Sequence, residues 1–208
     1  MPSVFPLAAA VLAILVGERL LVLRVTASPA GCAWLRRHRL FHPNTISLLR
    51  LPMGVCTVAV WLAGSVEAAV LWFAFWMITD LSDGTIARRC GLETNSGKWL
   101  DPLSDKCMYV PPLIMLAALK VLAPGWVAAL VLLDIAGQGS RLLVRRTAAN
   151  WFGKAKTALI TVILGLASFD RIEPLTFVNA PVLLVLLIAA TALAFLSLYG
   201  KLASGEWK

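Results

Sequence analysis

Charge is scarce in this sequence. Only 14% of its 208 residues are Asp, Glu, Lys or Arg, and 60% are hydrophobic. A soluble domain carries about 25% charged and roughly 45–50% apolar residues. The deficit excludes an ordinary water-soluble globule, and the apolar residues come in blocks, which points to several membrane crossings. Cysteine is sparse as well. Cys32, Cys56, Cys90 and Cys107 lie far apart with no CxxC or Cys/His spacing. Nothing suggests zinc, a disulfide framework is disfavoured, and all four read as reduced packing residues. The first apolar stretch lacks a preceding positive charge, so a cleaved secretory signal fits poorly. No internal repeat or low-complexity tract divides the chain.

The net charge is +8 with a pI near 9.8. Nucleic acid would be one partner for such a chain, but the basic residues stand between apolar runs, as they do in loops on one side of a membrane. The apolar run at 3–16 is too short to cross a bilayer upright. Extended to Val25 it is long enough but then contains Glu18 and Arg19, so it is either a first span or an interfacial helix. Residues 31–41 mix Arg36, Arg37, His38 and Arg39 with Trp34, Leu35, Leu40 and Phe41, a basic amphipathic piece suited to the headgroup layer.

Six spans are expected beyond it, at 44–63, 66–88, 102–122, 126–144, 152–169 and 181–199, with Asn44 as the first N-cap. The expected fold is all-α: a polytopic membrane protein with a six-helix bundle (residues 43–208) after an N-terminal apolar and basic segment (residues 1–42). If the loop around 91–98 is cytosolic, the outward loops hold only Lys120 and Arg171 of the nineteen Lys and Arg residues. The positive-inside rule selects that orientation.

Four of the eleven acids are then concentrated in "DLSDGTIARRCGLETNSGKWLDPLSD", residues 80–105. Asp80, Asp83, Gly84, Ala87 and Arg88 follow i, i+3, i+4, i+7 and i+8, one face of a helix. Asp101 before Pro102 reads as an N-cap and N1 pair, with Asp105 one turn further on. Two helix ends therefore present carboxylate pairs to one loop. Left together at membrane depth, the four would repel and be costly to desolvate. Two divalent cations would neutralise them, and all-oxygen ligands suit Mg²⁺ or Mn²⁺. A bimetallic site clamps the oxygens of a phosphorus undergoing displacement. Gly84 and Gly97 leave room for a ligand, and Arg88 can fork onto phosphate.

The stretch D-x2-D-G-x2-A-R-x8-G-x3-D-x3-D, from Asp80 to Asp105, resembles the signature of the CDP-alcohol phosphatidyltransferases, membrane enzymes of phospholipid synthesis. Six spans after a basic N-terminal helix also match that family, and "PNTISLLR" (43–50) is similar to the opening of its first span, with Ser47 where Thr is common. The N-terminal apolar segment is a departure. The resemblance implies that Asp80, Asp83, Asp101 and Asp105 hold two divalent metals, and that Asp83, Gly84, Ala87, Arg88 and Gly97 cradle a CDP-linked lipid. It also implies that Asp105 is the general base toward a small alcohol, with CMP as leaving group, in a homodimer whose site faces the cytosol.

A second polar concentration suggests the acceptor. Asp134, Gln138, Arg141 and Arg145 share one face of the fourth span, and Arg146, Lys154 and Lys156 lie near its cytosolic end. Such a cluster would attract a phosphorylated alcohol, although positive-inside anchors touching anionic lipid would look the same. "GKAKT" (153–157) is similar to a "GKxKT" stretch of phosphatidylglycerophosphate synthases, which implies glycerol 3-phosphate. The Arg-Glu pair common in their fourth span is replaced by "LDIAGQGSR", and an aspartate there is similar to some phosphatidylinositol synthases. Inositol, inositol phosphate and serine therefore stay as alternatives. A small cation transporter would instead spread its acids across the membrane depth, and an inactive scaffold would show a damaged motif.

Overall fold

The computed structural model describes residues 4–143, 151–175 and 178–204. These residues are helical, with no strand among them. The helices are α1 (Val4–Thr26), α2 (Pro29–Arg37), α3 (Pro43–Arg50), α4 (Met53–Leu62), α5 (Val66–Cys90), α6 (Gly97–Ala118), α7 (Pro124–Leu143), α8 (Trp151–Ile172) and α9 (Ala180–Ser204). A short 3-10 turn, Arg39–Phe41, precedes α3. By length and composition four stretches can cross a membrane: Val4–Thr26, Pro43–Leu62, Trp151–Ile172 and Ala180–Ala203. Large apolar side chains such as Phe5, Leu20, Leu132 and Phe195 stand on the surface, as they do when hydrocarbon is the solvent. The protein is an integral membrane protein. The helices α5, α6 and α7, which the sequence pattern also reads as spans, are not among those four stretches; they carry Asp80, Asp83, Asp101, Asp105 and Asp134 among their polar residues.

The chain divides into two compact units, Met1–Pro111 and Pro112–Lys208. In the first, α5 is the central helix, with α1, α2, α3 and α4 packed against it. The expected first span is two helices, because Pro52 lacks an N–H and interrupts the ladder between α3 and α4. Its N-cap is His42, whose ring accepts from the Asn44 N–H, and Pro43 takes the first helical position; Asn44 is not the cap. Helix α6 likewise begins at Gly97, with Trp99 and Leu100 donating to the Ser96 carbonyl. Asp101 and Pro102 therefore stand inside its first turns rather than at its cap. Gly54 lets α4 and α6 approach closely: a Cβ there would overlap the Cys107 carbonyl oxygen and lie 2.6 Å from that of Met108.

One awkward charge of the first apolar run is used in packing. Arg19 of α1 donates to Thr85 Oγ1 at 2.7 Å and to the Leu81 carbonyl at 3.3 Å, tying α1 to α5. The cysteine reading needs correction. Cys32 and Cys90 form a disulfide, with Cα atoms 5.2 Å apart, while Cys56 and Cys107 are free. The partners are 58 residues apart in sequence, but α2 lies across the end of α5, where Leu35, Ile86 and Cys90 form a buried cluster. Arg36 donates to the Cys90 carbonyl at 2.6 Å and closes the same junction.

In the second unit α9 packs on both α7 and α8. Its core includes Leu130, Ile160, Ile163, Leu187 and Ala190, each free of solvent contact.

Candidate active site

The site in the first unit grows from three polar residues of α3. Asn44, Ser47 and Arg50 recur every three residues and so follow one side of that helix. Each meets a different part of the aspartate motif. Arg50 is fully buried. Its guanidinium is ion-paired with Asp80, lies 3.3 Å from Asp83 and 3.6 Å from Asp105, and donates to Ser104 Oγ at 2.7 Å. Ser104 in turn donates to the Asp101 carbonyl at 2.9 Å. Ser47 Oγ stands between Asp83, at 2.9 Å, and Asp101, at 3.0 Å. Its one proton serves one carboxylate at a time. All four motif aspartates thus gather around one arginine and one serine, on adjoining parts of α5 and α6.

Burial sorts the carboxylates. Asp83 is nearly inaccessible at 2%, whereas the side chains of Asp80 and Asp105 are 31% and 28% exposed. Asp105 Oδ1 is buried and has no hydrogen-bond partner. Four negative charges and one guanidinium remain strongly anionic together, a combination that low-dielectric surroundings make costly.

Beside this cluster lies a cavity of about 100 Å³ lined by Asp83, Gly84, Ala87, Arg88, Gly97 and Asp101, together with Pro43, Asn44, Leu92, Glu93 and Thr94. Its wall is built locally. Gly91 ends α5 in the left-handed conformation, φ +63°, and Leu92 N–H turns back to the Ala87 carbonyl at 2.9 Å. Thr94 Oγ1 accepts from Asn44 Nδ2 at 2.9 Å and from the Gly97 N–H at 3.0 Å. A Cβ on Gly97 would come within 2.9 Å of Asn44 Oδ1 and 3.2 Å of Thr94 Oγ1, so a larger residue would have to shift the side chains of this network. At Gly84 a Cβ would meet only the Arg88 guanidinium, 3.5 Å away. The protein by itself has room for a larger residue there.

The sequence profile of the CDP-alcohol phosphatidyltransferase family matches residues 40–198. The chain belongs to this family. It is therefore a membrane transferase of phospholipid synthesis. It is 37% identical over 142 residues to a protein of Mycobacterium tuberculosis named "Probable phosphatidylglycerophosphate synthase", covering 64% of this chain and 68% of that one. A "CDP-diacylglycerol--glycerol-3-phosphate 3-phosphatidyltransferase" of Bacillus subtilis is 35% identical over 135 residues, with coverage of 55% and 69%. An enzyme of the same name from Escherichia coli is 27% identical over 133 residues, with coverage of 59% and 73%.

The family generally uses divalent metal ions. Among the described residues no group of three or more His, Cys, Asp or Glu side chains closes into a ligand set; the carboxylates are gathered on Arg50 instead. The donors nevertheless suit Mg²⁺ or Mn²⁺: they are all oxygen, they carry excess negative charge, and Asp105 Oδ1 is buried without a hydrogen bond.

Of the residues expected to bind the acceptor, all belong to the second unit. Asp134 and Lys156 are buried and ion-paired with each other. Gln138 is half-buried and Lys154 exposed. Arg145 and the side chain of Arg141 lie outside the described residues. Arg50, Ser104 and Thr94 were not singled out by the sequence pattern. The available signal was the three-residue spacing of Asn44, Ser47 and Arg50 within an apolar span, where an arginine is costly unless partnered.

Proposed function

We propose that this chain transfers the phosphatidyl group of CDP-diacylglycerol to glycerol 3-phosphate, giving phosphatidylglycerophosphate and CMP. The observation that carries the proposal is the convergence of the four motif aspartates beside a cavity lined by every remaining motif position, Gly84, Ala87, Arg88 and Gly97. The names of the relatives support the acceptor, as does the "GKAKT" stretch.

In this reading Asp80, Asp83, Asp101 and Asp105 hold two divalent cations, which would supply charge neutralisation for the diphosphate. Asp83, Gly84, Ala87, Arg88 and Gly97 receive the cytidine and diphosphate in the cavity. Ser47 keeps the inner carboxylates of α5 and α6 at a fixed separation. Asp105 takes the proton from the acceptor hydroxyl. The freed oxygen attacks the β-phosphorus, which carries diacylglycerol; the anhydride bond breaks and CMP departs. Positioning supplies much of the acceleration in such a transfer.

The acceptor phosphate is assigned to the basic cluster of Arg141, Arg145 and Lys154, with Asp134, Gln138 and Lys156 orienting it. We further infer that residues 43–208 form the catalytic domain of six spans, namely α3 with α4, then α5 to α9, with residues 1–42 as an added N-terminal element. The site faces the cytosol, and the protein is a homodimer.

The decisive experiment supplies purified protein with labelled CDP-diacylglycerol, Mg²⁺ or Mn²⁺, and a panel of glycerol 3-phosphate, inositol, inositol phosphate and serine. CMP release with glycerol 3-phosphate alone is expected. Release only with another alcohol would reassign the acceptor, and no release with any would remove the proposal. A narrower test concerns Gly84. The Gly84→Ala protein should unfold within about 1 kcal/mol of wild type, because the new methyl meets only a movable side chain. Its affinity for CDP-diacylglycerol should nonetheless fall at least about tenfold, since the methyl fills ligand space. Unchanged binding would show that the nucleotide does not approach this helix face.

A further inference from the structure

Arg50 is the feature of the site that the motif does not account for. It is wholly buried, yet it touches three of the four motif aspartates and reaches the fourth residue's backbone through Ser104. A guanidinium cannot lose its charge in a protein, so this positive charge is permanent. Four carboxylates drawn together in a low-dielectric region would otherwise drive the ends of α5 and α6 apart.

We propose that Arg50 is a positioning residue that serves as the protein's own counter-cation: it keeps the aspartate quartet assembled before metal arrives and opposes metal entry electrostatically. The inference rests on the metal-binding reading of the quartet. Two consequences are linked. Repulsion between the guanidinium and an incoming divalent cation weakens metal binding, and by the same coupling metal stabilises a protein lacking the guanidinium more than it stabilises the native one. An arginine that acted only through packing would behave in the opposite way, since its loss would loosen the quartet and weaken metal binding.

The test compares full-length wild type, Arg50→Ala and Arg50→Lys in detergent, with Mn²⁺ as the probe. Bound Mn²⁺ is counted by electron paramagnetic resonance, and thermal unfolding is followed in EDTA and in saturating Mn²⁺. In EDTA the Arg50→Ala protein should melt well below wild type, and Mn²⁺ should recover more than half of that loss. Its first Mn²⁺ should bind at least about fivefold more tightly than in wild type, whereas Arg50→Lys, which keeps the charge, should stay within about twofold. Recovery of Arg50→Ala only from preparations containing Mn²⁺ would also support the role. Equal melting losses with and without Mn²⁺, weaker Mn²⁺ binding, or failure to fold even in Mn²⁺ would overturn it. Wild type that binds no Mn²⁺ would overturn the metal reading itself, an outcome distinct from failure of the Arg50 inference alone.

Discussion

Replacing Asp105 by Asn is expected to lower CMP release by about 10²–10⁴-fold, the range spanned by loss of a positioned general base. The change keeps the size of the side chain and removes its ability to accept a proton. The proposed mechanism gives that task to Asp105. It stands one turn beyond Asp101 on α6, its side chain remains 28% exposed, and its buried Oδ1 faces the Arg50 guanidinium at 3.6 Å without a hydrogen bond. Asp83, at 2% exposure and bonded to Ser47, has neither property. Because Asp105 is also assigned to metal, turnover alone does not separate the two roles. CDP affinity and a saturating Mn²⁺ titration on the same variant do: CDP binding should be largely preserved and Mn²⁺ binding weakened by about 10–100-fold, while kcat stays collapsed even when Mn²⁺ is saturating. A kcat near the native value would remove Asp105 as base. A collapse that saturating Mn²⁺ restores would make it a ligand only.

The legible part of this protein was local. Apolar blocks mark helices, and the i, i+3, i+4 spacing of Asp80, Asp83 and Gly84 marks a helix face; both survive in the structure because neither depends on distant residues. Helix ends were less legible. The chain enters α6 at Gly97 rather than at Asp101, since Thr94 and Ser96 offer an earlier cap than the Asp-Pro pair. What stayed hidden was non-local. Arg50 meets Asp80 across 30 positions of chain, and Cys32 meets Cys90 across 58. Nothing in either neighbourhood encodes its partner. Arg19 shows the same limit, since a charge that made the first apolar run look interrupted is bonded to Thr85 of α5. The motif could therefore mark the four carboxylates but not the arginine around which they gather.

Cutting the Asp134–Lys156 pair from one side should cost about 3–5 kcal/mol of stability, because either single change leaves a buried charge without its main counter-charge. Both side chains are nearly inaccessible, at 5% and 8%, so water does not replace the missing partner. Changing both, to Asp134→Leu with Lys156→Met, should recover most of that loss, since a buried ion pair and an apolar pair of similar volume are often comparable in stability. The double variant then asks a question that neither single variant can. If the pair also orients the acceptor, the folded double variant should show a raised KM for glycerol 3-phosphate with CDP-diacylglycerol binding intact. Lys154 provides the contrast: it is exposed, so Lys154→Ala should leave stability within about 0.5 kcal/mol while raising the same KM. A double variant with native KM would confine Asp134 and Lys156 to holding α7 on α8, and the acceptor phosphate would have to be recognised by Lys154 and the arginines alone.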